Sequence, residues 1–427
     1  MMTDGEEMHA FMASLFPICR SITGDGVRQT LAQIKRHLPS LQVREVPTGT
    51  PAFDWVVPDE WNITAAHLVG PDGRTVVDFA NNNLHVVGDS EPVSLVLPLE
   101  ELQMHLHSLP EMPAAIPYVT SYYKRSWGFC LPHDVRESLV SGNYRVTIES
   151  TLAPGSLSYG EIILPGESSQ EVFLSTYVCH PSMANNELSG PVVTTWLAKW
   201  LMQRKRRYTY RIIFIPETIG SIVYLSRHID SMRRNIVAGF NVTCVGDDRC
   251  YSFLPSRRGD TLSDRVARHV LGRIDPNYVQ YSYLDRGSDE RQYCSPGVDL
   301  PVCSVMRSMY GCYSEYHTSA DDLALVTPSG LEGGYAALRR CLEIIEVNRV
   351  WRTIGPCEPQ LGKRGLYPTS NTMKSYASVR AMMDLLGYAD GSLDLLAIAG
   401  IIGADPMELG VYCEKLAEHK LMARAGE

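Results

Sequence analysis

Between residues 143 and 349, apolar strand-like runs alternate with amphipathic helical stretches, and this alternation constrains the fold more than any other feature of the chain. "YRVTIESTL", "YGEIILPG" and "EVFLSTYVCH" read as strands and are followed by a helix over about 187–206. "RIIFIPE" (211–217) is a strand, and a helix follows over 218–230. "IVAGFNVTCVGD" (236–247), a helix at 260–273, "LPVCSVMR" (300–307) and a helix from 328 to 349 continue the series. Such a pattern predicts an α/β sheet with helices on both faces.

The flanking regions differ. Residues 5–38 carry a helical pattern, whereas 43–88 are rich in β-branched residues, tryptophan, proline and a "PDG" turn, which predicts strands and turns. The segment "IPYVTSYYKRSWGFCLP" (116–132) is densely aromatic and suits either core or a binding wall. "GPCEPQLGKRGLYPTS" (355–370) predicts a linker, and three short amphipathic segments over 371–427 predict a winged-helix-like module. The expected domains are therefore 1–45 with 143–354, a mainly β insertion over 46–142, and the linker and winged helix over 355–427.

A net charge of -9 argues against a chain-wide attraction to nucleic acid or to an anionic membrane. The basic run "QRKRRY" (203–208) suits a helix C-terminus. No basic segment precedes an apolar stretch at the N-terminus, and no window has about 18 uninterrupted apolar residues. The eleven cysteines contain no C-x-x-C pair and read as reduced thiols. A cytoplasmic location without membrane association is the resulting expectation. Nucleic acid is not an expected partner of the C-terminal module, because "DPMELGVYCEKLAEHK" lacks the clustered positive charge that phosphates require. A homo-oligomer stays open, the module serving in packing or dimerisation.

In open α/β sheets, ligands sit outside the carboxyl ends of the strands. His180 follows the first buried strand, Glu217 the second, Asp247 and Asp248 the third, and His317 the fourth, after a tyrosine-rich loop. Each alone has a plain structural reading as a loop residue, turn former or helix cap. Together they are what a hydrolytic metal centre needs: imidazole and carboxylate ligands, and a carboxylate base. Arg307, Tyr310, Tyr313 and Tyr316 lie on the loop before His317, and Arg257 and Arg291 lie on other loops. An arginine there would pair with a substrate carboxylate.

Several stretches carry a resemblance. "CRSITGDGVRQTL" (19–31), "PTGTPAFDWVVPDEWNI" (47–63), "NNLHVVG" (82–88), "STYVCHPSMANNELSGP" (175–191), "PETIGSIVYL" (216–225) and "EYHTSADDL" (315–323) resemble the bacterial aminopeptidase-like proteins with DUF4910/DUF2172 domains. These are similar to relatives of the zinc-dependent M28 aminopeptidases. The resemblance implies an M28-like catalytic domain, a small β insertion and a winged helix. It implies zinc as cofactor, with His180, Asn186, Asp247 and His317 at ligand positions and Glu217 as the base. Asn186 stands where such peptidases place a bridging aspartate, and Thr218 where a second glutamate follows the base. Both changes remove negative charge, so at most one tightly held ion is expected.

The function expected is zinc-dependent, aminopeptidase-like hydrolysis of an amide or peptide bond. The substrate would be a small molecule or short peptide, in a biosynthetic setting. The alternative is a catalytically degenerate peptidase fold that binds a ligand or recruits a partner.

Overall fold

The computed structural model describes residues 2–366 and 373–425, with the side chains of 373–378 outside that description. The end of the expected linker, 367–370, lies outside it too. The chain forms two compact units, Met1–Asp264 with Ile274–Ala337, and Arg265–Arg273 with Leu338–Glu427.

The first unit is built on an eight-stranded sheet. Its strands are β1 (Gln42–Pro47), β2 (Ser156–Leu164), β3 (Ser168–Tyr177), β4 (Tyr208–Ile215), β5 (Ile236–Asn241), β6 (Ser252–Leu254), β7 (Val279–Gln280) and β8 (Val302–Met306). The spatial order is β1-β2-β4-β3-β5-β8-β6-β7. The central strands β4, β3, β5 and β8 run parallel, β1 and β2 pair antiparallel with their neighbours, and β6 is antiparallel to β8 and parallel to β7. Near-continuous burial of β3 and β4 is what a sheet covered on both faces requires. Arg211, a charge inside buried β4, is held by a two-pronged pair with Glu171 at 2.6 and 3.0 Å and by Tyr224.

Helices α1 (Asp4–Leu15), α2 (Asp25–His37), α3 (Ser189–Met202), α4 (Ile219–Asn235), α5 (Leu262–Ile274) and α6 (Pro328–Val347) follow the predicted alternation. Thr3 and Glu6 close a capping box at the start of α1. The helix expected from 187 begins at Ser189, because Ala184–Leu188 forms a π-helical turn ahead of it. Gly190 lets α3 approach the sheet closely: a Cβ there would stand 2.3 Å from the Val242 carbonyl. The basic run after α3 does serve its C-terminus, since Arg206 donates to the Leu201 carbonyl at 2.6 Å.

The insertion forms a four-stranded antiparallel sheet in the order Thr75–Asp78, Glu60–Val69, Asn143–Ala153, Val93–Pro98. This corrects the expected boundary. Asn143–Ala153 was assigned to the main sheet, yet it pairs along its length with Glu60–Val69 in the insertion. Its alternating burial is that of a sheet with one wet face, which the sequence shows but does not assign to a partner.

In the second unit, Val350–Thr353 is the middle strand of a three-stranded sheet, between Asp390–Asp394 and Met422–Arg424. Three helices, Met373–Tyr388, Leu395–Ile402 and Pro406–Glu418, complete it, the last two capped by Asp394 and Asp405. The module therefore begins before the stretch read as a linker, and 355–366 is a connection inside it. Among the described residues no single helix is long and apolar enough to cross a membrane.

Candidate active site

The carboxyl ends of β3, β4 and β8 deliver three side chains to one place. His180 follows β3, Glu217 follows β4, and His317 closes the loop after β8. The two imidazole centroids lie 5.7 Å apart. His180 Nε2 lies 3.6 Å from Glu217 Oε2, beyond hydrogen-bonding reach.

Each side chain is held from behind. His180 is 2% exposed. Its Nδ1 lies 2.8 Å from Glu187 Oε2, and Glu187 Oε1 lies 3.2 Å from Arg20 Nε. Both partners of that ion pair are fully buried. Arg20 also donates to the carbonyls of Leu15, His180 and Pro181, so it ties α1 to the His180 loop. A carboxylate on Nδ1 fixes the tautomer, turns Nε2 toward the pocket and raises ligand basicity. Burial opposes the charge on His180, but Cys179 and Glu187 outweigh it and hold its proton affinity well above the ordinary value.

His317 has φ +56°, an unusual conformation for a histidine. The inserted domain supports it: Tyr118 N–H donates to the His317 carbonyl at 2.8 Å, and Pro117 bridges to Thr318. The Tyr118 ring meets both imidazoles edge-on, at 5.4 and 5.0 Å, and Tyr316 stacks on His317 at 3.9 Å. Burial, then the nearby His180, pushes His317 down to about 3, so its imidazole is neutral. Its Nε2 is buried without a hydrogen-bond partner. Ser288 donates to Glu217 Oε1 at 2.7 Å and leaves Oε2 facing His180. Burial raises the Glu217 carboxyl above its ordinary range, opposed by His180 and Ser288.

Asn186, on the π-helical turn, shares three contacts with Tyr177 and Thr243. The Tyr177 hydroxyl lies 2.7 Å from the Asn186 amide and 2.5 Å from Thr243 Oγ1, and Thr243 donates to the Asn186 backbone carbonyl. Tyr177 donates to Asn186 Oδ1, so the amide nitrogen of Asn186 is the buried, unpaired end of the side chain.

Other expected site residues are engaged elsewhere. The Asp247 carboxylate accepts from Asn185 Nδ2, the Ser308 backbone and hydroxyl, and the Arg249 backbone. It fastens loops and has no capacity left for a ligand role; the residue two positions past β5 is Thr243. Arg307 donates to the Asp247 carbonyl and lies over the Tyr251 ring, a buried brace and not a substrate contact. Arg257 is paired with Asp299, and Tyr310 donates to Glu290, so neither joins the histidines. Tyr313 donates to Asp321, which also accepts the backbone N–H groups of Ala184, Asn185 and Asn186. Two of the expected substrate-side residues do lie at the pocket. Tyr316 stacks there, and Arg291 bonds to Thr218 Oγ1 and the Ser288 carbonyl, where its charge acts on Glu217.

Sequence reasoning missed Glu187, Arg20, Tyr118 and Ser288. "CRSITG" and "NNELSG" were visible as signatures, but nothing local says that residue 20 reaches residue 187. The aromatic segment resolves into both readings: Phe129 is buried core, Tyr118 is pocket wall, and Tyr122–Arg125 is exposed.

Cys179, His180 and Glu187 also lie close enough together to be considered as metal ligands. The geometry favours a different role for them. Glu187 is already neutralised by Arg20, and a cation beside that buried guanidinium would face its charge at low dielectric.

Residues 9–348 match the family described as a domain of unknown function, DUF4910, and residues 349–424 match that of a winged helix-turn-helix. A Clostridium acetobutylicum protein, provisionally named a polysaccharide biosynthesis protein with an aminopeptidase-like domain, is 45% identical over 397 residues, which are 92% of this chain and 91% of its own. A crystal structure provisionally named a peptidase, from the same species, is 42% identical, covers 98% of this chain and 96% of its own, and superimposes with a TM-score of 0.93. BSAP, a zinc aminopeptidase from Bacillus subtilis, is 11% identical, with a TM-score of 0.56 over 79% of this chain and 94% of its own. That last likeness is one of fold, and it bears out the expected M28-like α/β architecture, as the second match bears out the winged helix. With most of its length matched, the chain belongs to the DUF4910 family.

Proposed function

We propose that the chain is a metal-dependent hydrolase of an amide or peptide bond, with His180 and His317 holding one zinc ion and Glu217 acting as general base. The unpaired, buried Nε2 of neutral His317, facing the His180–Glu217 pair, carries this reading. The side chains fit a zinc ion: two imidazoles as ligands, one of them oriented by a carboxylate, with a neighbouring glutamate left free to act as base. Zinc bound there would lower the pKa of a coordinated water and polarise the scissile carbonyl.

The protein's own groups do the rest. Glu217 Oε2 takes a proton from the attacking water and returns it to the leaving amine, while Ser288 holds the other oxygen still. Its raised proton affinity suits both steps. Tyr316, whose ring stacks on His317, donates its hydroxyl to the developing oxyanion in this reading. Arg291 offers its remaining N–H groups to a substrate carboxylate. Neutral residues at 186, 218 and 243 leave too little negative charge for a second divalent ion.

The name of the Clostridium relative supports a biosynthetic setting, with a small molecule or short peptide as substrate. The neutral Asn186, Thr218 and Thr243 also favour a second reading, a peptidase fold kept for ligand binding. Elemental analysis of the purified chain, with and without His317→Ala, separates the two when combined with a screen of aminoacyl-arylamides and dipeptides. Stoichiometric zinc, and turnover that Glu217→Gln abolishes, support the hydrolase. Absence of metal and of turnover sinks it.

A further inference from the structure

A sizeable cavity lies away from the histidines. A groove of about 810 Å³ runs between the N-terminal helices and the inserted domain, with Ser182 at one end. Its wall combines half-buried Phe16 and Phe79 with the amides of Gln29, Asn62 and Asn81. Asp25 is its one charged residue, and Arg28, 2.6 Å away, offsets that carboxylate in part, since the same guanidinium also pairs with Glu60. Asn62 is internally bonded, to the Asp25 backbone N–H and to Glu60. Gln29 and Asn81 are exposed, and their amides form no internal bond among the described residues. Each therefore presents a donor and an acceptor to the groove.

We infer that this groove binds a neutral polyhydroxylated chain, an oligosaccharide. Apolar ring faces suit the C–H faces of pyranose rings, and amides with free donors and acceptors suit vicinal hydroxyls. The lining holds no cationic side chain to select an anion, and its one carboxylate, Asp25, is partly offset by Arg28 and remains an acceptor for a hydroxyl. It is also firmly joined to the catalytic loop. Asn83, on the groove floor, accepts from Ser182 N at 3.0 Å and donates to Ser182 Oγ at 2.8 Å, two residues past His180. Ser182 in turn donates to the Phe16 carbonyl on the groove wall. Cys19, Ser21, Trp61 and Asn83 also line a small gap of about 10 Å³ that reaches Tyr118.

The test is saturation-transfer NMR on the full chain with maltotriose, cellotriose and chitotriose, and with tetraethylene glycol as a neutral control that has neither a peptide bond nor vicinal hydroxyls. Transfer from at least one trisaccharide and none from the polyether is expected. The double variant Gln29→Ala/Asn81→Ala should weaken that affinity by about tenfold or more, the worth of one to two neutral hydrogen bonds. Both positions are exposed, so the variant should fold, which circular dichroism checks. No transfer from any trisaccharide, equal affinity in the double variant, or preference for the polyether overturns the inference. Binding is read without turnover and is expected to survive metal chelation, so it stands or falls separately from the hydrolase reading.

Discussion

Replacing Glu187 by alanine would leave Arg20 charged and unpaired in a fully buried position. The two side chains lie 3.2 Å apart with no exposure on either. Their direct attraction is about 5 kcal/mol at an effective dielectric of about 20. Desolvation offsets much of that in the intact pair, but removing one partner does not recover the desolvation of the other, and the expected loss is about 3–5 kcal/mol. Arg20→Met should cost about as much, since it strands Glu187 and frees the carbonyls of Leu15, His180 and Pro181. The double variant Arg20→Met/Glu187→Gln buries no uncompensated charge and should regain the part of the loss due to the stranded charge, while the three carbonyls stay without Arg20. Urea unfolding followed by tryptophan fluorescence, with the single variant Glu187→Gln added, gives all the values and closes a double-mutant cycle. The same proteins also test positioning. Without a carboxylate on Nδ1, His180 loses its fixed tautomer, and zinc affinity measured against a chelator should fall about 10- to 100-fold, in the double variant as well. Single variants within about 1 kcal/mol of the parent, or strictly additive losses, would show that the pair is not coupled as its geometry requires. Unchanged zinc affinity in the stable double variant would refute the orienting role.

Three further outcomes follow from the same contacts. Glu217→Gln should lower kcat by about 10²- to 10⁴-fold with little change in metal content, because it removes a proton acceptor and not an imidazole; steady-state kinetics beside elemental analysis checks it. Asp289 and Asp321 should respond differently to asparagine. Burial, then Glu217, pushes Asp289 up to about 8, so it is already neutral at pH 7, and Asp289→Asn should cost under about 1 kcal/mol by urea unfolding. Asp321 accepts four donors, one oxygen facing Ala184 and Asn185 and the other Asn186 and Tyr313, so an amide there must point its NH2 at donors and cost about 2–3 kcal/mol. Burial raises Asp321 to about 6 from an ordinary 3.8, so the folded state holds its proton longer than the unfolded chain does. That term is fully present below the ordinary value and is lost as pH rises through 6, amounting to ~3 kcal/mol, which the slope of stability against pH between these values in the parent and in Asp321→Asn measures.

What the sequence made legible divides along a physical line. Strand–helix alternation is a local periodic signal, and the elements it predicted from 171 to 349 are present with shifted ends. Strand-end position, combined with topology, correctly gathered His180, Glu217 and His317. Partner choice was not legible. Asn143–Ala153 alternates like any half-exposed strand, and only the pairing with Glu60–Val69 assigns it to the insertion. Asp247 shows the same limit at the scale of one side chain. An acid at a strand end is equally suited to bind a cation or to collect N–H groups. The Ser308 backbone and hydroxyl, about sixty residues away in sequence, decide the matter.

The same reasoning explains why the insertion belongs to the site and is not an ornament on a peptidase fold. His317 adopts a backbone conformation that costs of order 1–3 kcal/mol unless its surroundings enforce it. The enforcing contacts come from the insertion: the Tyr118 N–H on its carbonyl, and Ser319, which accepts from Ile116 N–H through its side chain and donates to the Ile116 carbonyl from its backbone. Tyr118 then turns its ring to both imidazoles. Disturbing this segment should therefore act on the proposed metal site without touching a proposed ligand. Ile116→Pro removes the donor to Ser319, and the ring's bulk forces the bridge apart. The hydrogen bond lost is worth about 1 kcal/mol, but the release of His317 should weaken zinc by a further factor, so affinity should fall by more than stability predicts. Chelator competition and urea unfolding on the same variant separate the two effects. Equal zinc affinity in a destabilised variant would mean that His317 keeps its place without the insertion, and the argument for a composite site would fail.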